Sequence, residues 1–209
     1  VGGSQNYVGE IIKLIPDARL NAGVASVRRF NDRVEVVTHD GKVENFEAVV
    51  IATHASAALR ILTDAADDEK ADLSAITYSQ NDTWLHHDES IMPSAQGAKA
   101  SWNYRIPSCD ATVDAVKVTY WMNKLQRLGC DEQFLVTLNP EGAVDESKLI
   151  ARMNYEHPVF TTAGIAAAER LTKAGGDRLA FAGAHFGWGF HEDGARSGLA
   201  AARKLGATW

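Results

Sequence analysis

The stretch that decides the fold is Phe181-Ala182-Gly183-Ala184-His185-Phe186-Gly187-Trp188-Gly189-Phe190-His191-Glu192-Asp193-Gly194-Ala195-Arg196-Ser197-Gly198. Arg178 to Ala182 reads as a short buried strand. The loop from Gly183 to Gly189 carries three glycines, and a final helix follows from about Glu192 to Leu205. Glycine lets a backbone approach a ligand without a Cβ clash. A helix start offers N–H groups that lack intrahelical partners and favour negative charge. Gly194, Ala195, Ser197, Gly198, Ala200, Ala201 and Ala202 permit close packing of that helix on a flat partner or a sheet. A tight strand–helix turn without a ligand has the same glycine spacing. The stretch is not a dinucleotide fingerprint, because Glu192 stands where a third small residue is needed, and no Gly-Lys-Ser/Thr makes it a P-loop.

Outward from this stretch, the chain alternates helical and strand patterns, which predicts an α/β fold. Ser4 to Leu14 reads as a helix with Ser4 as its cap. Val24–Phe30, Val34–Thr38 and Glu44–Glu47 read as a meander, with turns at Asn31-Asp32 and Asp40-Gly41. Ala48–Thr53 is continuously apolar, as expected of a strand buried on both faces. A small-residue helix follows, with Ala55, Ala58, Leu59 and Leu62 on one side. The acidic run Asp64 to Asp72 reads as a solvated face or helix start. Ile76–Tyr78, Thr83–His86, Ala100–Tyr104, Val116–Trp121 and Phe134–Leu138 read as a mixed or antiparallel sheet, with a short helix at Met122–Gln126. Leu149–Tyr155 is another strand, ended by His157-Pro158. Thr161 to Lys173 reads as a helix with Ile165, Ala168 and Leu171 on one face.

Composition narrows the function classes. The 209 residues are 45% apolar and 23% charged, ordinary for a globular chain with a sizeable core. A net charge of −6 repels phosphate backbones and argues against nucleic acid. No apolar run approaches the roughly 20 residues of a membrane helix. Cys109 and Cys130 form no Cys-x-x-Cys pair, so no zinc site or disulfide framework is expected, and a reduced cytoplasmic setting follows. No metal is expected: the spacings His185/His191 and His86-His87-Asp88-Glu89 match no standard ligand box. Ser197 is not in a nucleophile elbow.

The order of several short motifs resembles that of a known superfamily. They are Gly2-Gly3-Ser4, Val24-x-x-Val27, Asp40-Gly41, Val49-Val50-Ile51-Ala52-Thr53-His54-Ala55, Leu85-His86-x-Asp88, Ser101-Trp102-Asn103-Tyr104, Thr119-Tyr120-Trp121-Met122-Asn123, Val136-Thr137-Leu138-Asn139-Pro140 and Gly189-Phe190-His191-Glu192-Asp193-Gly194. Together they resemble the flavin-containing amine oxidase and phytoene desaturase superfamily, and within it a predicted FAD-binding oxidoreductase family. That resemblance implies FAD as cofactor and transfer of hydride from an apolar or amine substrate to flavin N5, as an oxidase, dehydrogenase or desaturase/isomerase. It implies an incomplete, Rossmann-like FAD-binding domain from residues 1–62 and 160–209, and a substrate domain from 63–159. The Gly-x-Gly-x-x-Gly element of such proteins is missing here, and the chain does not begin with Met. The sequence is therefore read as a C-terminal fragment whose partner is the N-terminal half of the same polypeptide.

Carried over by the resemblance, the cofactor-binding candidates are Val24, Ala52, Thr53, Gly183, Ala184, Gly189, Phe190, His191, Gly194 and Ala195. Val24 would meet the adenine through its backbone, and amides of Phe190–Ala195 would face the flavin. Ala184 stands where many relatives carry an acid, which leaves only backbone contact there. The catalytic candidates, as polar groups near the ring or substrate, are His191 and His86. Trp84, Trp102, Tyr104, Tyr120 and Trp121 are the candidates to wall a substrate cavity, against the alternative of ordinary sheet core. The other class of function is a non-catalytic fragment or interaction module that does not hold flavin alone, whose exposed apolar faces would favour a homo-oligomer.

Overall fold

A computed structural model describes residues 3–106, 108 and 117–208. In chain order the elements are α1 (Ser4–Leu14), β1 (Val24–Arg29), β2 (Val34–Thr38), β3 (Val43–Phe46), β4 (Val49–Ile51), α2 (Ala55–Ile61), α3 (Asp67–Ala75), β5 (Tyr78–His86), β6 (Trp102–Tyr104), β7 (Val118–Trp121), α4 (Met122–Gln126), β8 (Leu135–Leu138), β9 (Leu149–Pro158), α5 (Thr162–Leu171), β10 (Leu179–Phe181) and α6 (His191–Lys204). The fold is a mixed α/β one with antiparallel sheets and one parallel strand pair.

The chain forms two compact units. The meander unit holds Asp17–Ser79 and the chain from Pro158; the sheet unit holds the described residues up to Pro16 and Gln80–His157. The boundaries expected from the sequence fell instead near residues 62 and 160. Residues 63–79 join the meander unit because α3 packs there: Leu73 and Ile76 share one core with Ala168 and Leu171 of α5. The carboxylate of Asp72 also receives two nitrogens of Arg170, at 2.6 and 3.0 Å.

In the meander unit β1, β2 and β3 pair antiparallel in sequence order. Asp40-Gly41 makes the expected turn, with Gly41 at φ +84, where a side chain is disfavoured. β4 and β10 then pair in parallel. The expected six-residue strand at Ala48–Thr53 is only three residues long, because Ala52 onward serves as the loop into α2. Val27, Val34, Ile51, Ala58, Leu179 and Phe181 belong to the buried core. In α5 the buried stripe is Gly164, Ala167, Ala168 and Leu171; Ile165, expected on it, is half exposed. Thr161 is the cap, its hydroxyl oxygen accepting the Gly164 amide at 2.9 Å. Ser4, expected as the cap of α1, is instead its first residue, and Gly3 stands before it.

The acidic run is not merely solvated. Glu69 and Asp72 are buried. Glu69 takes two bonds of 2.7 Å from the Arg29 guanidinium, whose Nε donates to Asp64 at the same distance. The sequence alone hides this, because Arg29 and Arg170 lie far away along the chain.

In the sheet unit the strand order is β6-β7-β8-β5-β9. The β6/β7, β7/β8 and β5/β8 pairs are antiparallel. The expected strands Ile76–Tyr78 and Thr83–His86 are one strand from Tyr78, and β9 runs on to Pro158. Val116 and Cys109, singled out in the sequence, lie outside the described residues. The interior of this unit is unusually polar: Asn81, Thr83, His86, Asp88, Thr119 and Thr137 are all buried.

Candidate functional site

β4 and β10 run in parallel with Val49 opposite Leu179 and Ile51 opposite Phe181. Their carboxyl ends therefore finish side by side, and the Ala182 amide donates to the Ile51 carbonyl at 3.0 Å. Ala52-Thr53-His54 and Gly183-Ala184-His185 leave the sheet together. The carboxyl ends of parallel strands are where open α/β sheets bind ligands. Val24, at the start of β1, lines a cavity of about 610 Å³ together with Ala52 and Thr53. Its other walls are largely aliphatic, including Val27, Val36 and Val49.

The loop between β10 and α6 is fixed by two side chains. The Ser197 hydroxyl accepts the Gly183 amide at 2.9 Å and lies 3.0 and 2.9 Å from the carbonyls of Gly183 and Gly194. The Asp193 carboxylate, buried in the first turn of α6, accepts the amides of Trp188 and Phe190 at 3.0 and 3.1 Å, and Arg196 donates to it at 3.1 Å. A Cβ on Gly187 would lie 2.3 Å from that carboxylate, so only glycine lets the loop fold over it. Gly189 sits at φ +88 with open space around it. The result is a bared aromatic edge: Trp188 is 70% and Phe190 59% exposed. The amides of Phe190, Asp193 and Gly194 are spent within the turn, the latter two on the Phe190 carbonyl.

Of the ten cofactor candidates, all lie in the meander unit. Gly183, Ala184, Gly189, Phe190, His191, Gly194 and Ala195 fall in one loop–helix junction, Ala52 and Thr53 on the neighbouring strand end, and Val24 on the cavity beside them. Trp188 borders two further clefts, one of about 560 Å³ with Phe181, Asp193 and Ser197, and one of about 310 Å³ with Phe160, Ile165 and His185.

His185 was not a site candidate, yet it is the most perturbed base of the junction. Burial, and then the neighbouring His54, push its pKa down to about 4 from 6.5. Its ring is therefore neutral at pH 7. Because the folded value lies below the unfolded one, the fold loses stability as pH falls from about 6.5 towards 4. A two-dimensional NMR titration should show the His185 ring titrating near pH 4, and His185→Gln should remove that part of the acid destabilisation. A His185 midpoint near 6.5 would refute the desolvation of its ring.

The sheet unit holds the other candidates, and they are not gathered in one place. His86 is fully buried. Its Nε2 bonds the Thr137 hydroxyl at 2.8 Å, and its Nδ1 accepts the Asp88 amide at 3.0 Å. Desolvation holds its pKa below 6.5. Both ring nitrogens thus serve the interior of the sheet. Asp88 beside it is held well below the carboxylate range: burial alone would raise it, but the Asp145 amide, Lys148 and Ser90 outweigh that. The aromatic candidates divide between the faces of the sheet, as the register requires. Trp84 and Trp121 share the face of Thr137, with Trp84 buried and its Nε1 donating to Asp82. Trp102, Tyr104 and Tyr120 share the other, where Trp102 and Tyr120 meet edge-on at 5.9 Å. Among the described residues no group of three or more His, Cys, Asp or Glu side chains is placed to hold a metal, and no helix is long and apolar enough to cross a membrane.

No family model matches the sequence, and no curated protein matches it. Solved structures do. A CLA-producing fatty acid isomerase from P. acnes is similar at 15% identity and a TM-score of 0.68, over 98% of this chain and 52% of that one. The fold is that of half such a chain. A putrescine oxidase triple mutant, made in a structure-based redesign of cofactor binding, matches at 11% identity and a TM-score of 0.67, over 98% of this chain and 53% of its own. A protein described as a protoporphyrinogen oxidase from Exiguobacterium sp. 255-15 matches at 12% identity and a TM-score of 0.62, over 97% and 51%. This chain thus spans about half the length of the structures it matches.

The sequence places Asp193 and His185 in this junction but assigns their side chains no role there, and it does not bring Tyr78 to the junction. An acid three residues after Phe190 at a helix start is a recognisable capping pattern. Tyr78 carried no such signal, since it reaches the junction only through the tertiary fold.

Proposed function

We propose that this chain is the part of a FAD-dependent oxidoreductase that meets the flavin, of oxidase, dehydrogenase or desaturase/isomerase type, acting on an apolar or amine substrate. The observation that carries the reading is the pairing of two parallel strand ends with a glycine-bearing loop–helix junction that bares Trp188 and Phe190. In this reading β4 and β10 belong to an incomplete Rossmann-like FAD-binding domain, completed by a further half of the polypeptide. The residues present fit a dinucleotide in kind. Ala52, Thr53, Gly183, Ala184, Gly194 and Ala195 are small enough for close backbone approach, and the cavity beside Val24 has an aliphatic lining suited to an adenine. When bound, FAD would supply acceptance of a hydride from a substrate C–H at flavin N5. The chain's own part is placement and exclusion of water. Trp188 and Phe190 offer apolar surface, Asp193 and Ser197 hold the loop in shape, and exposed His191 is the polar group that would hold or move a proton beside the junction.

An interaction module that holds no flavin is the second reading. It is favoured by α1, whose Tyr7, Ile11 and Leu14 are exposed together with Ile15 just past its end. An absorption spectrum of the polypeptide that naturally carries this chain separates the two, since only the first predicts flavin bands in the visible. A Cβ at Gly194 would lie 4.0 Å from Ala184, an ordinary contact. Gly194→Ala should therefore keep flavin, whereas the added methyls of Gly194→Val, pressed on Ala184, should abolish its retention with little loss of melting temperature. Full flavin content in Gly194→Val would refute the close approach proposed there.

A further inference from the structure

Three rings from separate stretches meet where β4 and β10 end. His54 follows β4, His185 follows β10, and Tyr78 opens β5. The Tyr78 ring stacks on His54, with centroids 4.4 Å apart and 18° between the planes. It meets His185 edge-on at 6.4 Å and 74°. Its hydroxyl oxygen accepts the Ala55 amide at 3.0 Å, just past His54. His185 in turn lies directly on Gly183, where a Cβ would come 2.4 Å from the imidazole carbon Cε1. The backbone ladder between the strands reaches the bond from Ala182 to Ile51, and Tyr78 links the two loops beyond it.

We propose that Tyr78 is a positioning residue of the cofactor site. It holds Ala52–His54 and Gly183–His185 at a fixed separation, so that two loops of small residues present their backbones to a single dinucleotide. The inference rests on the FAD reading above. Small residues cannot interlock by themselves, so the spacing of the two loops must come from a side chain that touches both. Tyr78 does this through ring faces and edges, which are specific in geometry; its hydroxyl satisfies the Ala55 amide, which follows the first loop and not the second.

The test compares Tyr78→Leu with Tyr78→Phe in the polypeptide that naturally carries this chain, with FAD as the titrant and fluorescence quenching as the readout. Loss of the ring contacts in Tyr78→Leu should raise the dissociation constant roughly tenfold, while Tyr78→Phe, which keeps both, should stay within about twofold. His54→Ala, at an exposed position, leaves the core intact and should weaken binding by about threefold. His54→Ala carries the readout that a merely structural role would not move: at this exposed position it should lose FAD affinity while the melting temperature of the flavin-free protein stays at the wild-type value. If Tyr78→Leu binds FAD as tightly as wild type, or if it does not fold and His54→Ala binds as tightly as wild type, the inference is overturned while the FAD reading stands. If the wild type itself binds no FAD, the FAD reading fails and the inference with it.

Discussion

Replacing Glu69 by alanine should lower the unfolding free energy by about 3–5 kcal/mol, the range found when one partner of a buried ion pair is removed. The Glu69 side chain is 5% exposed, and that of Arg29, to which it is bound through both oxygens, is 18% exposed. Glu69 also accepts the Ala66 amide at 2.9 Å, which caps α3. The substitution therefore leaves a half-buried guanidinium with Asp64 as its remaining partner and uncaps a helix start. The pH dependence has a definite sign. Burial alone would raise the Glu69 carboxyl, but Arg29 and the Ala66 amide outweigh it and hold the folded value below 4.5. The stability this group gives is then fully present above about pH 4.5 and lost as pH falls through the folded value. Urea titrations across this range should show a weaker acid limb in Glu69→Ala than in wild type. A loss below about 1 kcal/mol would place the cluster with exposed surface pairs and contradict its burial.

Asp193→Ala should cost about 2–4 kcal/mol: the two lost hydrogen bonds to a charged group are together worth roughly 3–6 kcal/mol, and water reaching the loop at the exposed residues Trp188 and Phe190 recovers part of that. The loss should be local as well as global. Hydrogen exchange at Trp188 and Phe190 should accelerate far more than at Leu179 or Ala180 in β10, since the carboxylate closes the loop on the helix. Asp193→Asn keeps one acceptor oxygen and should fall between. Unchanged exchange at both amides in Asp193→Ala would mean that the loop holds its shape by other means, and the bared aromatic edge would then owe nothing to this residue.

Much of the fold could be read from local patterns. The meander was legible because its turns are marked by Asn31-Asp32 and Asp40-Gly41 and its strands are rich in valine. The junction into α6 was legible from its glycines and small residues. What stayed hidden depends on long-range partners. The run Asp64–Asp72 reads from sequence as a solvated face or a helix start; α3 does begin within it, at Asp67, but only Arg29 and Arg170, brought in by the tertiary fold, make Glu69 and Asp72 interior residues. His86 reads from sequence either as a polar group near a substrate or as a hydrogen-bonded histidine at a strand end, and the bonds of both its nitrogens to Thr137 and the Asp88 amide fit the second. The sequence leaves each aromatic residue of the sheet unit open between cavity wall and ordinary core, because the pairing register that sorts them to opposite faces is not specified by a single sequence. The candidate cofactor residues were placed by resemblance, and their gathering at two adjacent strand ends reflects the parallel pairing of β4 with β10.

That pairing has a kinetic consequence. Val49 meets Leu179 only after about 130 intervening residues have been synthesised, nearly all of the sheet unit among them. At ordinary rates of chain elongation the early strand waits several seconds on the ribosome with its hydrogen-bonding edge unmatched. Closing so long a loop is slow and leaves β-rich edges open to wrong partners in the meantime.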